Sequence, residues 1–359
     1  MLVSQITRDQ APYRAVLTHG YVVDGDGYKM SKSVGNIIAP QELIKKFGAE
    51  IVRLWVASVD YREDIRLSDQ IMNRLVDAYR RIRNTCRYIL GGIYDLTPET
   101  MLPLEKLLPF DRLALDGAAR LHTAMQQAYA DYEFHKIYQG LHKYCVTDLS
   151  ASYLDPIKDR LYCSATGSVE RRSAQTALCH ILRMLVRVMA PVLSFTAEEI
   201  HGMTPAALRE DASTVFALPP VNMDNMLLED GVRDDWMLLA QVRQAVTRAI
   251  EPVRTQGTVG HSLDTRVTLY LADDVRERIE SLGTDVREYV IVSQLVLAKL
   301  ADAPKDAFVD AEVDGVAIGV EKAHGEKCQR CWIYSTELGT DAQHPALCPR
   351  CTKVMQGMN

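Results

Sequence analysis

Apolar residues recur at helical spacing through much of this chain, and that periodicity constrains its fold more than any other feature. Between residues 68 and 90 they fall every three or four positions, at Ile71, Leu75, Tyr79, Ile82, Cys86 and Ile89. Such spacing places the side chains on one face of an α-helix. Similar patterns at 113–125, 134–149 and 178–185 predict a bundle of helices over residues 67–203.

Residues that favour helix ends punctuate these patterns. Ser68, Asp111 and Ser168 carry short oxygen-bearing side chains, which predict helix N-caps. Pro40 and Gly48 predict the start and the end of a shorter helix, with a second apolar helix directly after it.

The apolar period changes after a last helical stretch at 236–250. Val267, Leu269 and Leu271 alternate with polar neighbours, which predicts a half-buried strand. Residues 292–298 and 316–320 look similar, so we predict a small α+β unit over 234–322. Prolines within 204–233 predict an irregular linker.

The N-terminal residues predict two short strands, the first at 15–20 and buried, the second at 21–23. One or two strands do not bury a sheet. We therefore expect their partner strands to lie outside this chain of 359 residues.

Charge and hydropathy narrow the class of protein. There is no apolar run of about 18 residues and no export signal, so we expect no membrane span and a cytoplasmic location. The net charge of −6 argues against a general nucleic-acid binder, but residues 71–90 hold five arginines and one acid. Arg80, Arg83 and Arg87 form a stripe that suits RNA phosphates and unpaired bases, or a solvated helix face.

Four cysteines near the C-terminus form two Cys-x-x-Cys pairs separated by sixteen residues: Cys328, Cys331, Cys348 and Cys351. Four thiolates at this spacing complete a closed tetrahedral zinc site, which is structural because no position stays open. His324 and His344 are alternative ligands, and a redox pair fits less well. The other cysteines, Cys86, Cys145, Cys163 and Cys179, are expected to be small buried residues.

The segment Lys29, Met30, Ser31, Lys32 and Ser33 forms a cationic loop between glycines. Flexible ammonium groups can follow phosphates as they move, and stabilising developing phosphate charge is a large catalytic contribution. The alternative is a solvated basic turn. A phosphate loop of the G-x-x-x-x-G-K-[ST] type does not occur.

The loop sequence, continued by Val34-Gly35-Asn36, resembles the signature loop of class I aminoacyl-tRNA synthetases. The upstream Thr18-His19-Gly20, the downstream Arg53-Leu54-Trp55 and the segments 79–85 and 155–160 are similar to the isoleucyl/valyl/leucyl subgroup. Within that subgroup, the C-terminal cysteine pairs resemble those of bacterial-type isoleucyl-tRNA synthetases.

The resemblance implies roles for particular residues. Lys32 contacts ATP and stabilises the departing pyrophosphate, Lys29 assists, and the whole loop 29–33 binds ATP, with Mg²⁺ expected in the parent enzyme. The bundle binds the anticodon arm of tRNA(Ile), for which the candidate contacts are Arg80, Arg83, Arg87 and Trp332. One structural zinc and a monomer are expected.

The departures from the family also matter. The family's His-x-Gly-His motif, amino-acid pocket and editing domain have no counterpart in this chain. We therefore expect the C-terminal part of an isoleucine-activating synthetase, inactive by itself. The alternatives are a free-standing or split-enzyme tRNA-binding module and another synthetase of the subgroup.

The expected fold is mainly α, with a small α+β unit. A remnant of a Rossmann-type catalytic domain occupies 1–66, the anticodon-binding bundle 67–203 and the linker 204–233. The α+β unit covers 234–322, and the zinc module 323–359.

Overall fold

A computed structural model describes residues 2–357. The α-helices are α1 (Leu2–Arg8), α2 (Pro40–Phe47), α3 (Ala49–Ala57), α4 (Asp69–Gly92), α5 (Pro109–Ala130), α6 (Phe134–Lys143), α7 (Lys158–Cys163), α8 (Val169–Met189), α9 (Ser194–Met203), α10 (Asp230–Thr255), α11 (Asp273–Ser281), α12 (Val286–Val290) and α13 (Pro349–Gln356). The strands are β1 (Val22–Val23), β2 (Ile65–Arg66), β3 (Thr265–Leu271), β4 (Gln294–Lys299), β5 (Phe308–Val309), β6 (Val316–Lys322), β7 (Glu326–Lys327) and β8 (Tyr334–Ser335).

Helices α4 to α9 form the predicted bundle, and α4 buries the predicted apolar stripe. Ile82, Cys86 and Ile89 of that stripe are fully buried. The Ser68 hydroxyl accepts a hydrogen bond from Ile71 N at 3.3 Å, and Ser168 caps α8 in the same way, so both predicted caps are confirmed. Most side chains of α8 are buried, on every face of the helix, which shows that α8 runs through the centre of the bundle.

The predicted N-cap at Asp111 is wrong. Helix α5 begins two residues earlier, at Pro109, whose fixed φ suits a first helical position. Asp111 instead points into the bundle, fully buried, where the Tyr153 hydroxyl and Arg160 Nη1 donate to its carboxylate at 2.7 and 2.9 Å. Asp111 therefore pairs with the buried Arg160 guanidinium and does not cap the helix.

The segment 134–149, predicted as one helix, is an α-helix in its first part and a π-helix in its second. Helix α6 continues as a π-helix over Tyr144–Leu154, with Cys145, Leu149 and Leu154 buried. Apolar positions spaced four and five residues apart suit either winding, so the sequence pattern predicts a helix without deciding its pitch.

The predicted α+β unit contains a four-stranded sheet in the order β4-β3-β6-β5. Strand β3 pairs in parallel with β4 and antiparallel with β6, and Val267, Leu269 and Leu271 are fully buried as their alternation predicts. Helix α10 packs on this sheet and on α12. Residues 204–229 form short turns that pack on the bundle, with Val215 and Met226 buried.

The predicted strand at 15–20 is wrong, whereas β1 confirms a strand at 21–23. Residues 15–19 are exposed and form no strand, because nothing in the part of the chain that the structure describes pairs with them as a ladder. Gly20 is fixed instead by a close approach: a Cβ there would lie 2.2 Å from Glu63 O. Its N–H donates to Tyr61 O at 2.8 Å, which brings β1 alongside β2 in parallel.

Candidate functional site

The cationic loop at residues 29–33 is held from behind by the side chain of Asn36. The Asn36 amide oxygen accepts a hydrogen bond from Ser31 N at 2.9 Å. Its amide nitrogen donates to Asp24 Oδ2 at 2.8 Å and to Lys29 O at 3.4 Å. One side chain therefore fixes the base of the turn, and residues 32–35 form its exposed tip.

Asp24 organises the turn that precedes the loop. Its Oδ1 accepts hydrogen bonds from Tyr28 N at 2.8 Å and Asp26 N at 3.1 Å. The hydrogen bond from Asn36, followed by that from Tyr28, lowers the pKa of the Asp24 carboxyl. Gly27 completes this turn with a φ of +92°, a conformation that favours glycine.

The two predicted catalytic lysines occupy different surroundings. The Lys29 ammonium lies over the Tyr21 ring, 4.8 Å from its centroid, a cation–π contact. Lys32 lies on the exposed tip, and Met30 packs partly against the core. The Ser31 and Ser33 hydroxyls are 3.1 Å apart. A tip cation beside two hydroxyls can bind a phosphate, while Lys29 is tethered near the base.

The three arginines predicted as an RNA-binding stripe differ in their contacts. Arg80 is exposed and lies 3.4 Å from Asp77, and Arg87 is exposed. Arg83 Nη2 donates to Glu199 of α9 at 2.7 Å, which engages its guanidinium in packing between helices. Arg80 and Arg87 are therefore better placed for a partner than Arg83.

The four paired cysteines lie together and are all buried. Their sulfur atoms are within 4.8 Å of one another, and the Cys331 and Cys348 sulfurs are 3.7 Å apart. Four sulfurs at about 2.3 Å from one ion are about 3.8 Å apart in a tetrahedron. This donor set therefore fits one zinc ion, and among the described residues the cluster includes neither His324 nor His344.

The cysteines of the cluster differ in acidity: a side-chain hydrogen bond with Cys351 and burial raise the pKa of Cys331, burial raises that of Cys348, and the pKa of Cys328 is lowered. Trp332 N donates to Cys328 O at 2.9 Å, with Trp332 at a φ of +64°, which folds the first pair into a knuckle. Burial of the Cys328 thiol opposes its ionisation. Hydrogen bonds from the Cys331, Cys348 and Arg330 backbone outweigh burial and lower the pKa of Cys328 to about 6. Zinc binds the deprotonated form.

A cleft of about 920 Å³ separates the bundle, the α+β unit and the zinc module. Trp332 and Tyr162, each 61% exposed, line it together with Lys158 and Lys327. Lys158 also borders a second cleft, of about 490 Å³, which Arg81 lines. Asp155, Asp159 and Glu288 also line the cleft, and Lys158 pairs with Asp155, so the exposed rings and Lys327 are the features of the cleft that suit an unpaired base.

Sequence reasoning missed three residues of these sites. Asn36 follows the loop closely in sequence, but its position does not predict that its side-chain amide forms hydrogen bonds with the backbone of Ser31 and Lys29. Arg330 and Arg350 each occupy the third position of a cysteine pair, a repeated signal that was available in the sequence. The isolated cysteines are buried as predicted, and Cys163 packs against the four paired ones.

No helix among residues 2–357 combines the length and apolar character needed to cross a membrane. Three family models match the chain. Residues 1–68 match tRNA synthetases class I (I, L, M and V), and residues 111–269 match the anticodon-binding domain of tRNA ligase. Residues 325–354 match the zinc finger found in FPG and IleRS. Together with the cysteine cluster, this last match supports one structural zinc.

Similar proteins match the whole chain. The isoleucine–tRNA ligase of Desulfovibrio desulfuricans is 67% identical over 358 residues, which are 100% of this chain and 38% of that ligase. The isoleucine–tRNA ligase of Nitratidesulfovibrio vulgaris strain DP4 is 61% identical over 357 residues, 99% of this chain and 38% of the ligase. This chain therefore spans about 38% of the length of the curated relatives that it matches.

Among solved structures, methionyl-tRNA synthetase of Mycobacterium tuberculosis in complex with methionyl-adenylate is similar at a TM-score of 0.41 and 21% identity. The similarity covers 57% of this chain and 42% of that synthetase.

Proposed function

We propose that this chain serves an isoleucine–tRNA ligase in two ways. The premise is that the chain belongs to the class I tRNA synthetases and is homologous over its whole length to isoleucine–tRNA ligases. Its lysine loop handles the phosphates of ATP, and its bundle and zinc module hold the anticodon arm of tRNA(Ile). The ligase joins isoleucine to that tRNA through an aminoacyl-adenylate, with Mg²⁺ accompanying ATP. It acts as a cytoplasmic monomer.

The geometry of the loop 29–33 is the observation that carries the proposal. Asn36 holds the base of the loop while Lys32 lies on its exposed tip. This arrangement suits a loop that closes over a nucleotide and reopens. When the isoleucine carboxylate attacks the α-phosphorus of ATP, negative charge develops on the departing pyrophosphate, and the Lys32 ammonium stabilises that charge. Lys29, Met30, Ser31 and Ser33 complete the ATP-binding loop.

Pyrophosphate exchange tests the role of Lys32 in the ligase that contains this chain. Lys32→Ala should reduce isoleucine-dependent exchange of pyrophosphate into ATP by roughly 10²–10³-fold, the loss typical of one electrostatic contact to a developing charge. Lys45→Ala, an exposed lysine on α2, is the matched control and should leave the rate unchanged. Wild-type exchange in Lys32→Ala contradicts the assignment.

The tRNA-binding role rests on the surface of α4 and on the large cleft. Arg80 and Arg87 are exposed on α4 and can contact phosphates, and Trp332 offers an aromatic face for an unpaired base. Arg83 contributes less, because Glu199 already pairs with it.

Binding of a tRNA(Ile) transcript to the chain tests this surface. Trp332→Ala should weaken binding by about tenfold, within the range measured for stacking of one base. Phe216→Ala, which removes another exposed ring, is the control and should bind normally. Equal affinities for both variants contradict the role of Trp332. Normal tRNA binding by a wild-type protein that shows no isoleucine-dependent pyrophosphate exchange favours a tRNA-binding module without catalysis.

The zinc assignment is also part of the proposal. Cys328, Cys331, Cys348 and Cys351 would hold one ion in a closed shell, which supplies folding energy to the module and no chemistry. Metal analysis should find about one zinc per chain, released by thiol-modifying reagents. A folded preparation free of metal contradicts this assignment.

A further inference from the structure

Both cysteine pairs of the zinc module carry an arginine, and both arginines reach the same helix of the bundle. Arg350, in the second pair, forms a two-point ion pair with Asp159 in the first turn of α7, with Nη2 at 2.7 Å from Oδ1. Arg330, in the first pair, donates to the backbone carbonyl oxygens of Tyr162 and Cys163 at the other end of α7. The module therefore holds α7 at both ends.

Arg330 also contacts a sulfur of the metal cluster. Its Nη1, which donates to Cys163 O, also donates to the sulfur of Cys351 at 3.6 Å. The return contact runs from the Cys163 thiol to Arg330 O at 3.5 Å. One guanidinium thus joins a sulfur of the metal cluster to the C-terminal carbonyl groups of α7.

The strength of this bridge depends on the metal. A zinc-bound cysteine sulfur is a thiolate, and a hydrogen bond from a guanidinium to a charged acceptor is roughly twice as strong as one between neutral groups. Four thiolates around one Zn²⁺ leave a net charge of about −2, which a neighbouring cation stabilises. Without zinc, no ion holds the four sulfurs together, and the Cys351 sulfur is not fixed in place beside Arg330 Nη1.

We propose that Arg330 is a positioning residue that couples zinc occupancy to docking of the zinc module on α7. The inference rests on the proposed zinc site but not on any tRNA-ligase activity. Because coupling between two binding events is reciprocal, zinc strengthens the docking and the docking strengthens zinc binding. Trp332 of the module and Tyr162 of α7 line the same cleft, so zinc also affects how these two rings are placed relative to each other.

Other contacts of the module do not involve the sulfurs. Tyr334 N donates to Ser293 Oγ at 2.9 Å, and Lys327 Nζ lies 3.8 Å from Asp264. These contacts join the module to the α+β unit. Zinc loss should therefore loosen the contact of the module with the C-terminal end of α7, while the Arg350–Asp159 ion pair and the attachment to the α+β unit persist.

Zinc release from the intact, zinc-loaded chain tests the coupling. Arg330→Met should release zinc to a chelator about tenfold faster than wild type, the lower end of the effect of residues that support metal ligands. Arg330→Lys keeps the cation and should restore part of the retention. Lys327→Met, on the same module but directed at Asp264, is the matched control and should release zinc at the wild-type rate. Release from Arg330→Met at the wild-type rate overturns the proposal.

Hydrogen exchange of the wild-type chain gives a second readout that needs no variant to fold. Stripping zinc should accelerate amide exchange in α7 while exchange in the central helix α8 stays unchanged. An amide exchange rate in α7 that is the same with and without zinc overturns the proposal. So does faster exchange throughout α8, because that result would mean that the bundle unfolds and not that the module undocks. A failed tRNA-binding test leaves both readouts unaffected, so the two proposals fail separately.

Discussion

A single polar side chain, that of Asn36, fixes the base of the loop 29–33. Asn36 acts as a substitute backbone partner for the loop 29–33, accepting from Ser31 N and donating to Lys29 O. Aspartate at this position could accept the first bond but could not donate the second. The amide is therefore required by its two-sided hydrogen-bonding capacity.

Loss of this amide should free the loop. In Asn36→Ala we expect trypsin to cleave after Lys29 and Lys32 roughly two- to tenfold faster, the range that one net hydrogen bond allows. Initial cleavage rates, read by mass spectrometry, measure the effect. Ser33→Ala removes a polar group from the tip without touching the base and should be cleaved at the wild-type rate. Equal rates for both variants would show that Asn36 does not restrain the loop.

Asp111 is a buried carboxylate at the centre of a hydrogen-bond network in the bundle. It is fully buried and accepts from Tyr153, Arg160 and Ser173. Asp111→Ala should reduce the free energy of unfolding by about 3–5 kcal/mol, because it deprives a buried guanidinium of a partner. Urea unfolding measures this loss. A loss below about 1 kcal/mol, the size of a surface ion pair, would contradict it.

At the scale of elements, α7 and α12 join the bundle to the α+β unit through an ion pair. Arg160 Nε of α7 lies 2.5 Å from Glu288 Oε1 of α12, and both side chains are largely buried. Burial raises the pKa of Glu288 to about 7, and the Arg160 charge only partly opposes it. Asp285 and Asp111, both nearby, raise the pKa further.

This interface should therefore weaken as the pH rises. Folded Glu288 binds its proton more tightly than the unfolded chain does, so its stabilising contribution is present below about pH 4.5 and is lost toward pH 7. Glu288→Gln stays neutral throughout. The unfolding free energy of wild type minus that of the variant should decrease between pH 4.5 and pH 7.5. A difference that is constant or that increases would contradict the direction of the shift.

At the scale of the whole molecule, the N-terminal segment that carries the loop is attached to the bundle through α3. Glu50 of α3 accepts from Thr196 N at 3.0 Å and from the Thr196 hydroxyl. Arg53 donates to the carbonyl oxygens of Pro191 and Val192. The segment that carries the loop is therefore attached to the start of α9, which the bundle holds.

A double-mutant cycle tests this attachment. Glu50→Gln and Thr196→Val should show a coupling energy of about 0.5–3 kcal/mol in urea unfolding, as residues in direct contact do. Glu50→Gln combined with Glu277→Gln, an exposed residue of α11, should be additive. Additivity of the first pair would show that Glu50 and Thr196 do not interact in solution.

Sequence patterns predicted what local physics decides. The apolar stripe of α4, the caps at Ser68 and Ser168 and the alternation of β3 each depend on a few neighbouring residues, and the structure confirms them. The cysteine spacing likewise predicted a cluster, because two short pairs can converge on one ion wherever the rest of the module lies.

Only the tertiary structure decided which polar residues pair across the chain. Asp111 and Arg160, Glu50 and Thr196, and Arg330 and Cys351 are far apart in sequence, and a side chain seen alone does not reveal whether it faces water or a distant partner. Periodicity specifies a face of an element but not its neighbour. By itself, then, the sequence determined the long helices of the bundle, the core strand and the presence of a loop and a cysteine cluster. Packing decided that Asn36 restrains the loop, that Arg83 is engaged between helices, and that the metal cluster is attached to α7.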